Sequence, residues 1–124
     1  MKLFTTLSLL LLTLRLSASA IPDRLAVRAI YGEACGESYA AKVAIGAAIR
    51  NRGNLRGVYG LNSRLLNHVD RRMMTDCRAA WADSAKHDPT GGASYWESSD
   101  FKAPYWAAQM HRTVQIGKTI FYKP

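Results

Sequence analysis

The sequence contains little of what a metal-dependent enzyme requires. It has three histidines, His68, His87 and His111, which stand roughly 20 residues apart, and it has no His-Glu-x-x-His motif. Zinc sites are built from clustered His, Cys, Asp or Glu ligands, so we expect neither a metal nor another cofactor. No motif typical of a serine nucleophile is present either.

Long hydrophobic runs are also lacking. Residues 3–14 form an apolar run of 12 residues, whereas a membrane-spanning helix needs roughly 20. The run follows Lys2 and precedes Ala18-Ser19-Ala20, an order typical of a cleaved secretory signal peptide. We therefore predict a signal peptide over residues 1–20, a single domain over 21–124, and no stable membrane span after cleavage. A buried N-terminal helix and an uncleaved anchor are the alternatives.

Acidic residues are scarce, with 9 Asp and Glu against 17 Lys and Arg and a net charge of +8. Such a balance commonly indicates a nucleic-acid partner, but the export signal argues against one. A basic exported protein fits an anionic polymer of the cell envelope or a lipid head group better. We expect a monomer that acts in the periplasm, outside the cell or in the cell wall.

Cysteine is limited to Cys35 and Cys77. In an oxidising compartment an even number of cysteines indicates a disulfide. A bridge between them would close a loop of about 40 residues and stabilise the fold by roughly 2–4 kcal/mol. Two free thiols are the alternative.

The sequence predicts helices over residues 22–34, 39–52 and 76–87, with a short helix after residue 62. Gly36 is expected to end the first helix, and Ser38 is expected to cap the second. A strand is predicted over 93–96, after the turn at 88–92, and a helical turn near 105–111. The chain ends in a predicted hairpin, 113–116 and 119–122, whose Gly117-Lys118 loop suits a type II′ turn. The expected fold class is α+β, mainly helical with a short C-terminal β-hairpin.

Two carboxylates, Glu33 and Glu37, lie between glycines and are bracketed by Tyr31 and Tyr39. Burial beside apolar and aromatic groups raises the pKa of a carboxyl group. Such an environment suits a general acid, and glycoside cleavage needs one. The alternative is a pair of exposed carboxylates near a helix end, with Glu37 helping to cap the second helix.

A second motif, Thr90-Gly91-Gly92-Ala93-Ser94-Tyr95-Trp96, combines glycines with aromatic residues. Glycine lets the backbone approach a ligand closely, and aromatic faces can stack on sugar rings. The alternative is a turn followed by two core aromatics.

Three blocks together resemble the SleB/CwlJ family of cell wall hydrolases. The first is Ala-Ile-Tyr-Gly-Glu-Ala-Cys-Gly-Glu-Ser-Tyr at residues 29–39 with the segment up to residue 52. The second is Asp-Pro-Thr-Gly-Gly-Ala-Ser-Tyr at 88–95. The third is the terminal hairpin, 112–122.

The resemblance implies a lysozyme-like domain that acts on peptidoglycan as a lytic transglycosylase or muramidase. The bond cut would be the β-1,4 bond between N-acetylmuramic acid and N-acetylglucosamine, and Glu33 would be the catalytic acid. The residues expected to contact or support the glycan are Tyr31, Glu37, Tyr39, Thr90, Gly91, Gly92 and Tyr95.

Three departures from the family pattern qualify the resemblance. Cys35 stands where the family usually has Arg, Thr119 where His is common, and residues 55–76 lack the usual Gln-Phe-Ser segment. A non-catalytic glycan-binding protein on the same fold is therefore the competing interpretation, ahead of a basic protein that acts on membranes by charge.

Overall fold

The computed structural model describes residues 20–124, so residues 1–19 of the predicted signal peptide lie outside the described part. None of the helices described is long and apolar enough to cross a membrane. The fold consists of three α-helices and a three-stranded antiparallel sheet, which confirms the predicted α+β, mainly helical class. The helices are α1 (Asp23–Ala34), α2 (Tyr39–Arg52) and α3 (Arg71–Ser84). The strands are β1 (Tyr95–Ser98), β2 (His111–Ile116) and β3 (Thr119–Lys123), and 3-10 turns occur at Tyr59–Asn62, Arg64–Asn67 and Tyr105–Gln109.

Helix α2 is the centre of the fold. Ser38 caps its N-terminus by accepting a hydrogen bond from the backbone N–H of Ala41, and Gly53 ends it with a left-handed φ of 77°. Every residue from 41 to 49 is buried, as expected for a helix covered on all sides. A Cβ added at Gly46 would lie 2.8 Å from the hydroxyl oxygen of Ser84. Glycine therefore lets α2 and α3 pack closely at this point.

Helix α1 ends as predicted at Ala34 but not by the predicted mechanism. Cys35 keeps right-handed helical angles, and its N–H bonds the carbonyl of Tyr31. Gly36 does not adopt a positive φ. The reversal into α2 is closed instead by Lys42, a buried residue whose ammonium group donates to the carbonyl of Glu37 at 2.8 Å.

Helix α3 begins five residues earlier than predicted. The carboxylate of Asp70 accepts a hydrogen bond from the N–H of Met73 at 2.9 Å, so Asp70 is the N-cap. Arg71 and Arg72 therefore lie in the first turn, where a basic residue opposes the helix dipole. This cap helps to compensate for the unfavourable charges.

The sheet has the strand order β1-β3-β2. Its central strand β3 contributes Phe121, which is fully buried in the helical core. The β2–β3 hairpin contains a register shift between Arg112 and Val114. Its turn has φ of 58° at Gly117 and no positive φ at Lys118, which fits the predicted type II′ turn. Strand β1 lies two residues later than predicted.

Candidate active site

Glu33 lies in the last turn of α1 and is half-buried. Its Oε1 accepts a hydrogen bond from the backbone N–H of Gly60 at 2.8 Å. Its Oε2 accepts one from the indole N–H of Trp96 at 3.3 Å. Both carboxylate oxygens are therefore held by N–H donors, one from the 59–62 turn and one from β1.

Two glycines bring the 59–62 turn against α1. A Cβ added at Gly32 would lie 1.9 Å from the carbonyl oxygen of Gly60. A Cβ added at Gly60 would lie 2.7 Å from both the carbonyl oxygen of Ala29 and the Cγ of Glu33. The backbones thus meet at a distance that only glycine permits, and this contact places the Gly60 N–H at Glu33.

An arginine at the end of α2 stacks on the aromatics of β1. The Arg52 guanidinium lies 4.8 Å from the ring centroid of Tyr95 and 5.8 Å from that of Trp96, within the range of cation–π attraction. Tyr95 also packs at 5.6 Å against Trp106. Arg52 and Tyr95 line a hollow of about 380 Å³ with Asn51, Asn54, Arg56, Ser94 and Pro124. Tyr95 therefore packs against Arg52 and Trp106 and also lines this mostly polar hollow.

The glycine turn before β1 is organised around Asp88. Burial acts to raise the pKa of Asp88, but hydrogen bonds from the Thr90 hydroxyl, Asn51 and the backbone N–H groups of Thr90 and Gly92 outweigh it and lower the pKa. Gly91 and Gly92 are exposed and have φ of 65° and 86°. Glycine is therefore needed here for the turn itself.

Thr90 does not face a ligand. It is fully buried, and its hydroxyl donates to Asp88 and accepts from the N–H of Ala93. Its place in the structure corrects the expectation that it lines the sugar cleft, because its side chain has no accessible surface. Of the predicted motif, Gly91 and Gly92 are exposed, Ser94, Tyr95 and Trp96 are half-buried, and Thr90 and Ala93 are buried.

The two tyrosines that bracket the motif in sequence do not bracket Glu33 in the structure. Tyr31 is buried, and its hydroxyl accepts a hydrogen bond from the N–H of Asp70 at 2.9 Å, which ties α1 to the start of α3. Tyr39, which is exposed, donates to the carboxylate of Asp83 on α3; this hydrogen bond, together with some desolvation and the negative charge of Asp83, raises the pKa of Tyr39 to about 12. The hydroxyl groups of Tyr31 and Tyr39 are therefore hydrogen-bonded to Asp70 and Asp83 rather than to Glu33.

Glu37 belongs to the connection between α1 and α2 and lies beside the tip of the β2–β3 hairpin. A Cβ added at Gly117 would be 3.1 Å from its Oε2, so the turn passes directly over the carboxylate. Glu33 and Glu37 thus have different neighbours, although four residues separate them.

The predicted disulfide is absent from this structure, in which Cys35 and Cys77 are free thiols. Cys35 is half-buried at the end of α1, and Cys77 is fully buried on α3. Burial raises the pKa of the Cys77 thiol to about 11. The pairing stays a prediction for the oxidised protein.

Sequence reasoning did not identify Gly60 or Arg52 as part of the site, and it gave Trp96 a different role. Gly60 was only a sign of a loop, since nothing in the sequence pairs it with a residue 27 positions earlier. Trp96 was expected to offer a face to a sugar and instead donates to Glu33. Within residues 20–124 there is no group of three or more His, Cys, Asp or Glu side chains arranged to hold a metal ion.

Two curated proteins resemble the chain over most of its length. The spore cortex-lytic enzyme of Halalkalibacterium halodurans is 34% identical over 110 residues, which cover 79% of this chain and 33% of the relative. That of Oceanobacillus iheyensis is 32% identical over 120 residues, which cover 81% of this chain and 41% of the relative. The chain therefore spans between a third and about two fifths of the length of these relatives. No protein-family model matches the sequence.

Two solved structures share the fold. The catalytic domain of Bacillus cereus SleB superimposes with a TM-score of 0.62 at 27% identity, covering 82% of this chain and 88% of that domain. The catalytic domain of the germination-specific lytic transglycosylase SleB from Bacillus anthracis gives 0.63 at 28% identity, covering 86% and 98%. These relatives and solved structures support the resemblance to the SleB/CwlJ-type family that the sequence motifs indicated.

Proposed function

We propose that the protein cleaves the glycan strands of peptidoglycan at the β-1,4 bond between N-acetylmuramic acid and N-acetylglucosamine. The observation that carries the proposal is the Glu33 carboxylate, half-buried and held by the Gly60 and Trp96 N–H donors. The names of the relatives and of the solved catalytic domains support a wall-lytic activity. In this proposal residues 1–20 direct export and residues 21–124 form the catalytic domain.

Glu33 acts first as a general acid. In its protonated form it donates to the glycosidic oxygen while positive charge develops on the muramic ring. After the proton transfer Glu33 is a carboxylate. The hydrogen bonds from the Gly60 and Trp96 N–H groups then become stronger, because their acceptor is charged. Proton transfer by a positioned group contributes roughly 10²–10⁴-fold to the rate.

Glu33 then acts as the base. It takes the proton from the 6-hydroxyl of the same muramic residue, whose oxygen bonds to the anomeric carbon and closes a 1,6-anhydro ring. A hydrolase with two carboxylates would place the second acid roughly 5–9 Å away. The neighbouring acid in sequence, Glu37, lies under the hairpin tip at Gly117. We propose that one carboxylate is used twice.

The glycan would lie along the surface that runs from the 59–62 turn to β1. Tyr59 directly precedes Gly60 and is 81% exposed, so its ring is free to stack on a sugar. Tyr95, stacked between Arg52 and Trp106, would form a second contact. Gly91 and Gly92, which have no side chains, would leave room for the glycan beside Tyr95.

The test is digestion of purified peptidoglycan by the wild type and by Glu33→Gln, with soluble muropeptides measured by mass spectrometry. We expect Glu33→Gln to lose activity by about 10²-fold or more. Asp76→Asn, which also converts a carboxylate to an amide, is the control because Asp76 is exposed on α3, and it should retain activity. Binding of both proteins to peptidoglycan without cleavage by either would establish the competing glycan-binding function.

A further inference from the structure

A groove of about 560 Å³ lies between α1 and α3, away from Glu33. It is lined on α1 by Asp23, Arg24, Val27 and Arg28. Glu33 follows Arg28 by five residues, which turns its side chain about 140° around the helix axis. The groove is therefore on a different face from the proposed active site and needs its own explanation.

The walls of the groove are basic and its floor is apolar. Arg24 and Arg78 are exposed and Arg28 is half-buried, whereas Met74 and Trp81 beneath them are buried. Among residues 20–124 one side-chain ion pair occurs, between Lys118 and Asp100. Among these residues no acid forms an ion pair with the three groove arginines, and Asp23 is the one acid in the groove lining.

The remaining charged residues of the groove hold its floor in place. The indole N–H of Trp81 donates to the Asp23 carboxylate at 2.7 Å. Arg50 stacks at 3.6 Å from the Trp81 ring centroid and donates to the Trp81 carbonyl at 2.7 Å and to Ser84 at 2.8 Å. The Trp81 ring is therefore held in place, and the Asp23 carboxylate already accepts a hydrogen bond from it.

Two smaller hollows adjoin the groove. One adjoining hollow, of about 240 Å³, shares Met74 and Arg78 and adds Arg71. The other, of about 310 Å³, shares Arg50 and Trp81 and ends beside residues 20–21 and 53. The three hollows are neighbours that share lining residues, and we refer to them together as the channel. A concave surface of this extent suits an extended chain better than a compact small molecule.

We propose that this channel binds an acidic, amphipathic peptide segment of a partner protein. Carboxylates of the segment would pair with Arg24, Arg28 and Arg78, because a guanidinium accommodates a carboxylate in a bidentate pair. Its apolar side chains would cover Met74 and Trp81, a combination of arginine and tryptophan that is common at the centre of protein interfaces. A polyphosphate-like polymer has no apolar groups for this floor, and a membrane surface does not enter a concave channel.

The test is fluorescence anisotropy with a labelled peptide in which Glu and Leu alternate. We expect the triple variant Arg24→Gln, Arg28→Gln, Arg78→Gln to bind it about tenfold more weakly or worse. The control triple, Arg64→Gln, Lys102→Gln, Lys123→Gln, removes the same charge from exposed positions elsewhere and should change binding by about twofold or less. Both triples should fold, and both should digest peptidoglycan at the wild-type rate.

Three results would overturn the proposal. Equal weakening by the two triples would mean that only net charge attracts the peptide. Equal affinity for a Glu–Ser peptide or for polyphosphate would mean that the apolar floor is not used. Tighter, arginine-dependent binding to phosphatidylglycerol vesicles would assign the surface to a membrane. None of these results depends on whether Glu33 cleaves glycan.

Discussion

Gly32 and Gly60 meet backbone to backbone, so that a Cβ at position 32 would lie 1.9 Å from the carbonyl oxygen of Gly60. The residue after Gly32 is Glu33, and the N–H of Gly60 donates to its carboxylate. One close contact therefore places both the acid and one of its hydrogen-bond donors.

Substitution Gly32→Ala should disrupt this contact. The added methyl group meets backbone rather than a flexible side chain, so the 59–62 turn must move. We expect a loss of about 3 kcal/mol in the free energy of unfolding, measured by urea denaturation. Gly36→Ala is the control, since a Cβ there meets nothing within 4 Å and its φ is not positive. Similar stabilities for the two variants would contradict the close contact.

Substitution Trp96→Phe should lower the rate of glycan cleavage while keeping an aromatic ring at this position. The variant loses the indole N–H that donates to Glu33. One such hydrogen bond is worth about 1–1.5 kcal/mol, which corresponds to a rate reduction of about tenfold. Initial rates at saturating and limiting substrate would show a fall in kcat with little change in KM. A normal kcat in a folded variant would remove Trp96 from the proposed mechanism.

Asp88→Asn should weaken the glycine turn in a pH-dependent way. Because the pKa of Asp88 is lowered in the folded state, its stabilising effect is present above its unfolded pKa of about 3.9 and is lost as the pH falls through the folded value. At pH 7 we expect a loss of about 1 kcal/mol, since the group is largely exposed and solvent screens it.

Thermal unfolding from pH 7 to pH 2 would measure the effect of Asp88→Asn. The difference in stability between wild type and variant should shrink below about pH 4. Asp76→Asn should show a change of about 0.5 kcal/mol or less at any pH. A difference for Asp88→Asn that persists unchanged at the lowest pH would show that its carboxylate charge is not involved.

The two thiols should react at very different rates in reducing buffer. At pH 8 a thiol with a pKa of about 11, as burial gives Cys77, is almost entirely protonated, and the thiolate is the reactive form. We expect maleimide to modify the half-buried Cys35 about 100-fold faster than Cys77, as read by peptide mass spectrometry. Equal rates without denaturant would contradict the burial of Cys77.

The predicted disulfide has a separate test. Protein recovered from an oxidising compartment should be lighter by two hydrogens than the reduced protein, and Cys35→Ser should abolish that difference. An unchanged mass in the wild type would establish two free thiols as the mature state.

The helices could be predicted because their signals are local. Ser38 as N-cap, the alanine-rich run of α2 and Gly53 all lie within one segment, and the bounds of α2 are as expected. The predicted start of α3 was too late, because the run at Arg71 and Arg72 was interpreted only as a solvated face. The Asp70 cap, which is also a local signal, decided the boundary.

The site was only partly predictable because its contacts join distant parts of the chain. Glu33 could be selected from its neighbours in sequence. Its donors could not, since Gly60 and Trp96 lie 27 and 63 residues away. Sequence proximity was also misleading for Tyr31, whose ring turns into the core towards Asp70.

The central claim is that Glu33 alone serves as acid and base. Digestion of peptidoglycan in H₂¹⁸O by wild type and Glu33→Gln, followed by mass spectrometry of the muropeptides, tests it most directly. We predict unlabelled 1,6-anhydro products from the wild type, each lighter by one water than the hydrolysis product, and almost none from the variant. Reducing-end products that carry ¹⁸O would contradict the account, because they would show that water, activated by a second group such as Glu37, completes the reaction.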